Sequence, residues 1–259
     1  MSEAGTREAG RPNTGRVRTV RTRPALPRAL ARGGDVGLGL AVFGIYLGVA
    51  EWVDHRLDAA TRNALDVVAL ERFLHVDVEH PVNTWTARQP SWLSTFADYH
   101  YAIGYLVTTL VALGWLRWRR PAPYSRQVVA FLALTVAAIA VFALYPVTPP
   151  RLLEGLGFVD TVEAHGTVGS WGTGLVSMIA NQHAAMPSLH VAWAVWVAYA
   201  VLTEGAPGWL GRTAVLHVFT TTAVIVMTGN HWLLDAVAGV VLAVLVVPTV
   251  LRLLSRWGP

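Results

Sequence analysis

The chain has 259 residues, of which 54% are hydrophobic and only 14% are charged. A soluble globular protein carries about a quarter charged residues, so this composition excludes an ordinary soluble enzyme and a disordered chain. No cysteine is present, which excludes a disulfide scaffold, a thiol nucleophile and a cysteine-ligated metal site. All twenty basic residues are arginines, so there is no lysine to form a Schiff base.

The first 34 residues form a basic tail. It contains eight arginines and two acidic residues and has no apolar periodicity, which is typical of a disordered segment. A signal peptide has a much shorter basic region, so the next apolar stretch is interpreted as an uncleaved anchor. Nucleic acid is an alternative partner for such a tail, but its position beside a membrane segment favours anionic membrane lipids, and we expect no nucleic-acid binding.

Six apolar segments follow the tail, at residues 36–53, 93–116, 128–145, 187–202, 213–228 and 232–251. A helix needs about 17–25 residues to cross the hydrocarbon layer, so these segments predict six transmembrane helices. The region between the first two segments is too charged to span, and its residues 59–74 predict a helix lying in the membrane interface. We therefore expect an all-α integral membrane protein, with a six-helix bundle over residues 35–259.

The placement of the arginines predicts the orientation of this bundle. If the N-terminus is cytoplasmic, fifteen arginines fall on the cytoplasmic side and five on the other. Cytoplasmic loops of membrane proteins carry the basic excess. Both termini are therefore predicted in the cytoplasm, and the long loop 146–186 on the extracytoplasmic face of the cell membrane.

Three polar motifs that are distant in sequence reach that same face. They are Pro146-Val-Thr-Pro-Pro-Arg151, Met186-Pro-Ser-Leu-His190 and His231-Trp-Leu-Leu-Asp235. Polar residues at membrane depth are costly and usually functional, so their convergence predicts a site. The four-residue spacing of His231 and Asp235 places both on one face of a helix.

These residue types suit metal-independent phosphoryl transfer through a phosphohistidine. An imidazole whose second nitrogen is held by a carboxylate is fixed in one tautomer and can attack phosphorus. His231 and Asp235 can form such a pair, and a second histidine, His190, can protonate the leaving oxygen. The guanidinium of Arg151 matches phosphate oxygens, and backbone amides near Ser188 add further donors. No cofactor is needed for this chemistry.

The second and third motifs together resemble the type 2 phosphatidic acid phosphatase superfamily, over residues 145–239. The amino-acid sequence at residues 181–190 and 228–231 is similar to that of one branch, the inositol phosphorylceramide synthase-like phosphotransferases. The resemblance implies that His190 is the general acid, His231 the nucleophile and Asp235 its orienting carboxylate. It also implies a lipid phosphate or phospholipid substrate, with water or a hydroxyl compound as phosphoryl acceptor.

The chain departs from the wider superfamily pattern, which contains K-x6-R-P, P-S-G-H and S-R-x5-H-x3-D. The lysine is absent, Leu189 replaces the glycine, and Val224-Ile225 stands where Ser-Arg is expected. Arg151 is followed by Leu152 rather than proline. The motifs of the synthase-like branch are reduced around the two histidines and the aspartate, as they are here.

Structural interpretations remain open beside the functional ones. His231 with Asp235 can be a helix-start pair, His190 a packed imidazole, Arg151 a headgroup contact and Ser188 only a helix cap. Asp98, Tyr99 and His100 either line the same cavity or pack in the core. A non-catalytic membrane protein and a haem-binding protein, whose histidines would face each other across the bundle, are the alternative functions.

Overall fold

The computed structural model describes residues 34–167 and 182–257, and every structural statement below refers to these residues. Outside them lie the predicted tail, except for Gly34, and residues 168–174. The latter belong to the glycine-rich run at 166–174, which the sequence alone predicts to be a flexible lid. The described residues form ten α-helices: α1 (Gly34–Asp54), α2 (Leu57–Leu74), α3 (Glu79–Ala87), α4 (Ser91–Tyr99), α5 (Tyr105–Arg119), α6 (Pro121–Leu144), α7 (Thr161–His165), α8 (Leu189–Thr203), α9 (Gly208–Met227) and α10 (Leu233–Trp257).

Four helices are long and apolar enough to cross a membrane: α1, α6, α9 and, over Leu233–Arg256, α10. Helix α8 is apolar but shorter, at 15 residues. The apolar segment predicted at 93–116 is helical as well, because a π-helical turn at His100–Gly104 joins α4 to α5. The all-α fold is therefore confirmed, whereas the count of six spans stays a prediction.

The charged region between the first two apolar segments contains two helices rather than one. Helix α2 coincides closely with the helix predicted at 59–74 and ends at His75, whose φ of 58° stops the helix. Helix α3 has only nine residues and carries no long apolar stripe, so the sequence does not predict it. Its buried residue Asn83 anchors it instead, by donating to the carbonyls of Val159 and Met227 at 3.0 Å each.

Helix α8 lies at the centre of the bundle, packed against α5, α6, α9 and α10. Its sequence is apolar on all faces, as expected of a helix surrounded by protein. Trp196 of α8 is fully buried and packs on Phe131 of α6, with ring centroids 4.7 Å apart. Helix α1 packs mainly against α6 and leaves much of its surface exposed.

The start of α8 lies unusually close to α10. A Cβ atom added at Gly239 would sit 2.6 Å from the backbone oxygen of Ser188, a distance that only glycine permits. Small residues allow such close approach of two helix backbones. In addition, the backbone N–H of Ser188 donates to the carbonyl of Asp235 at 2.9 Å. The second and third sequence motifs are therefore joined directly, through their main chains.

Candidate active site

The structure places His231 in the short connection between α9 and α10. Its Nδ1 atom lies 2.9 Å from the carbonyl oxygen of Ala185 and 3.2 Å from Oδ2 of Asp235. A backbone carbonyl only accepts hydrogen bonds, so Nδ1 must carry a proton, and in the neutral ring Nε2 then holds the lone pair. The contact between His231 and Asp235 predicted from their four-residue spacing is thus present, and both side chains are buried. The shared helix face predicted for them is wrong, because the helix begins at Leu233 and His231 precedes it.

The Ala185 carbonyl is itself held by the chain that follows α6. The N–H of Ala185 donates to Val147 at 3.0 Å, and the N–H of Val147 donates to His183 at the same distance. The indole N–H of Trp232 donates to Thr148 at 2.9 Å. The acceptor that sets the tautomer of His231 is therefore fixed by three main-chain segments that are far apart in sequence.

His190, the second residue of α8, faces His231 with ring centroids 5.6 Å apart at an interplanar angle of 66°. Two tyrosines pack on its other sides: the Tyr101 ring stacks on it at 4.3 Å, and the Tyr105 ring meets it edge-on at 4.2 Å. Nδ1 of His190 is buried and makes no hydrogen bond to another described residue. Aromatic packing, together with a hydrogen bond to the backbone of Tyr101, therefore holds this imidazole in place.

Tyr101 and Tyr105 owe their position to the π-helical turn at His100–Gly104, which carries the first and precedes the second. A π-turn inserts one extra residue into a helix and shifts the face that the following side chains present. Such turns occur frequently at functional sites, and this one lies beside His190.

Arg151 is tied to the third motif by its main chain and its side chain. It lies in a 3₁₀ turn at Pro150–Leu152, and its N–H donates to the carbonyl of Gly229 at 2.9 Å. Its Nε donates to Asn230 at 2.8 Å, and its Nη1 donates to Asp160 at 3.0 Å. Only 4% of the side chain is exposed, so Arg151 is a buried, oriented cation beside His231 rather than a loop arginine in contact with bulk lipid headgroups.

Ser188 is the N-cap residue of α8. Its Oγ lies 3.5 Å from the N–H of Val191 and 3.5 Å from Nε2 of His231. The predicted capping position is therefore present, and it brings the hydroxyl next to the nitrogen of His231 that holds the lone pair. A role in phosphate binding remains a proposal.

These side chains border one cavity of about 390 Å³. Polar groups form the part near His231, and apolar side chains of α1, α6 and α8 form the walls that extend toward the middle of the bundle. The polar lining includes Arg151, Gln182, His190, Asn230 and His231, and the apolar lining includes Val42, Phe43, Phe131, Leu132, Phe142, Leu189 and Trp193. The cavity is thus amphipathic.

Asp98, Tyr99 and His100 lie near the start of the second apolar segment and do not line the cavity. Asp98 is buried and accepts a hydrogen bond from Thr161 at 2.6 Å. His100 bonds Thr221 at 3.1 Å, and Tyr99 is exposed. Of the two interpretations of this segment, the structure therefore supports core packing for Asp98 and His100 and neither interpretation for the exposed Tyr99.

Two buried glutamates at the site are not predicted by the sequence. Oε1 of Glu71 accepts from the N–H of Leu234 at 2.8 Å, and Oε1 of Glu79 accepts from the N–H of Leu233 at 2.7 Å. Both residues belong to the charged region that precedes the second apolar segment. Nothing local in the sequence distinguishes them from exposed acids of amphipathic helices.

Metal ligands were not expected at this site. Within residues 34–167 and 182–257, no group of three or more His, Cys, Asp or Glu side chains is arranged to hold a metal ion. Independence of the activity from metal stays a prediction.

Comparison with known protein families agrees with the arrangement of motifs. A family model described as the PAP2 superfamily matches residues 65–249, more than two thirds of the chain, and this range contains all three motifs. No curated protein and no solved structure shows a significant match. The resemblance is thus confirmed for the superfamily, whereas the inositol phosphorylceramide synthase-like branch stays a prediction.

The geometry of Arg151 predicts that lysine cannot replace it. A lysine keeps the charge but lacks the planar fork that lets one side chain donate to Asn230 and Asp160. We expect Arg151→Lys to weaken inhibition by vanadate, a phosphate mimic, by roughly tenfold or more. The exposed Arg62→Lys on α2 is the matched control and should behave as wild type. Equal inhibition of all three proteins would show that the fork of Arg151 does not bind the anion.

Proposed function

Because the chain belongs to the PAP2 superfamily, we propose that it is a metal-independent phosphatase or phosphotransferase that cleaves a lipid-linked phosphate ester through a phosphohistidine at His231. Membership of the superfamily supports phosphatase-type chemistry on lipid phosphates in membranes. The observation that carries the residue assignment is the convergence of His190, His231 and Arg151 on one amphipathic cavity.

In the first step, Nε2 of His231 attacks the phosphorus atom and the bond to the lipid oxygen breaks. The nitrogen is available because Nδ1 carries the proton, held by the Ala185 carbonyl and by Asp235. As Nε2 bonds to phosphorus the ring becomes cationic, and the buried carboxylate of Asp235 stabilises that charge. Protonated His190 donates its proton to the departing lipid oxygen as general acid.

In the second step, His190 accepts a proton from water or from an alcohol, and the resulting oxygen nucleophile attacks phosphorus. The bond between phosphorus and Nε2 breaks, and His231 returns to its starting state. Water as acceptor gives a phosphatase, and a hydroxyl compound gives a phosphotransferase. By the resemblance to the inositol phosphorylceramide synthase-like branch, we propose that a hydroxyl acceptor is used.

The phosphate oxygens are bound by Arg151 and by donors at the start of α8. The guanidinium is buried and held at two points, so it needs little reorganisation when negative charge develops on the oxygens. Ser188 adds a hydroxyl next to Nε2. The N-terminal end of α8 also favours an anion, because helix N-termini carry partial positive charge.

The shape of the cavity supports a lipid as substrate. A phosphate group fits beside the polar residues, and an apolar chain fits along Phe43 of α1, Phe131 of α6 and Trp193 of α8. Membrane lipids are therefore the source of substrate that this cavity suits best.

The haem-binding alternative is less consistent with the site. Axial ligands must face each other across the macrocycle, whereas the rings of His190 and His231 meet each other directly at 5.6 Å. Tyr101 also stacks on the face of His190. A non-catalytic role does not explain why a buried carboxylate orients the imidazole of His231 toward the cavity.

The mechanism predicts different losses for the two histidines, measured on an alkyl and an aryl phosphate ester. His231→Ala should abolish turnover of both esters. His190→Ala should slow the alkyl ester by roughly 10²–10⁴-fold but the aryl ester less, because an aryl oxide leaves without a proton. EDTA should leave the wild-type rate unchanged, since the proposed chemistry uses no metal.

His217→Ala is the matched control, because His217 is a helical histidine outside the cavity that hydrogen-bonds Thr108. It should keep the wild-type ratio of the two rates. Equal slowing of both esters by His190→Ala would contradict the general-acid assignment. Loss of activity in EDTA that magnesium restores would contradict the metal-independent mechanism.

We further propose that the site faces the extracytoplasmic side of the cell membrane and that both termini are cytoplasmic, from the fifteen-to-five distribution of arginines. A reporter fused after Trp257 should then be cytoplasmic, and one inserted after Gly155 should be extracytoplasmic. Detection of both reporters in the same compartment would contradict this orientation.

A further inference from the structure

Three consecutive backbone N–H groups at the start of α10 donate to three different carboxyl groups. The N–H of Trp232 donates to Asp235 at 2.9 Å, that of Leu233 to Glu79 at 2.7 Å, and that of Leu234 to Glu71 at 2.8 Å. A single capping side chain is the usual arrangement at a helix start. Here the acceptors come from α2, α3 and α10 itself.

The carboxyl groups of Glu71 and Glu79 accept from adjacent N–H groups and line the same cavity, so they lie side by side. Glu71 has no exposed surface and Glu79 only 2%, so neither is screened by bulk water. Oε2 of Glu71 is buried and receives no hydrogen bond from a described residue. Two carboxyl groups can hydrogen-bond only if one carries a proton, and the oxygen without a donor marks where that proton sits.

We propose that Glu71 and Glu79 share one proton and act as positioning residues, which hold the first turn of α10 and thereby align His231 with His190. The inference rests on the proposed function where it concerns catalysis. The proton lets Glu71 donate to Glu79 while its other oxygen accepts from Leu234. Loss of the proton leaves two adjacent carboxylates close to the carboxylate of Asp235.

Burial, together with the charges of Glu79 and Asp235, raises the pKa of Glu71 from 4.5 to about 8, although the hydrogen bond from the N–H of Leu234 opposes the rise. Burial also raises the pKa of Glu79, and the hydrogen bond from Glu71 opposes that rise. The direction of these effects makes Glu71 the proton donor of the pair. With a pKa of about 8, Glu71 is mostly the neutral acid at neutral pH.

The charged groups around the pair come from each helix packed on it. A cavity of about 270 Å³ beside the pair is lined by Arg72 of α2, Asp77 of the α2–α3 connection and His80 of α3, together with the two glutamates. Asp235 of α10 also acts on both glutamates through its charge.

The sign of the pH effect follows from the raised pKa. The folded protein binds the Glu71 proton more tightly than the unfolded chain, so this residue destabilises the fold increasingly as pH rises from 4.5 to about 8. Above that pH the effect levels off. The protonated form of the pair, which holds the first turn of α10, is lost as the pH rises through the pKa of about 8.

The test compares Glu71→Gln, Glu71→Ala and the exposed Glu154→Gln as control. Glutamine keeps an acceptor for Leu234 and a permanent donor for Glu79, so it mimics the protonated acid. Wild type and Glu154→Gln should lose melting temperature as pH rises from 5 to 8, whereas Glu71→Gln should lose less. Glu71→Ala should melt lowest at every pH, because the N–H of Leu234 loses its partner.

Kinetics on an aryl phosphate ester give the second readout. Between pH 7 and 9, wild-type kcat should fall about tenfold more than that of Glu71→Gln, as expected for one group with a pKa of about 8. KM should stay unchanged, because the pair does not contact the substrate cavity. A Glu71→Gln variant with the wild-type pH dependence in both readouts, or one as impaired as Glu71→Ala, would overturn the proposal. Melting curves need no substrate, so they decide the acid pair even if the wild type proves inactive on phosphate esters.

Discussion

The arrangement of the site depends on how the first turn of α10 satisfies its backbone N–H groups. A helix start leaves several N–H groups without intrahelical acceptors, and water cannot serve them where they are buried. Here Asp235, Glu79 and Glu71 accept these groups. The same Asp235 contacts Nδ1 of His231, and its carbonyl accepts from Ser188 at the start of α8. One helix terminus thus fixes the proposed nucleophile, the acid proposed to orient it and the neighbouring motif.

The surroundings of the two histidines differ in a way that suits their separate roles. His231 is held by hydrogen bonds through Nδ1, which defines its tautomer. His190 is held by the rings of Tyr101 and Tyr105 and by a hydrogen bond to the backbone of Tyr101. A nucleophile needs a fixed lone pair, whereas a general acid must gain and lose a proton.

The sequence predicts those parts of the site that depend on local spacing. The four-residue separation of His231 and Asp235 predicts their contact, and the position of Ser188 before an apolar run predicts the helix cap; both are found. Long-range partners were not predicted. Glu71 lies 163 residues from Leu234, and local pattern carries no information about such a pairing. In the sequence, the tyrosines packed on His190 look like other residues of a transmembrane span, because only the π-turn brings them to His190.

The central claim is that Nε2 of His231 forms the bond to phosphorus. The most direct measurement is to quench the enzyme during turnover of a labelled phosphate ester, keep the digest alkaline, and locate the phosphoryl group by mass spectrometry and NMR. We expect phosphohistidine at His231 with phosphorus on Nε2, because Nδ1 is occupied by the Ala185 carbonyl and Asp235. Phosphorus on Nδ1, on another residue, or on no residue under conditions where the intermediate accumulates would contradict the account.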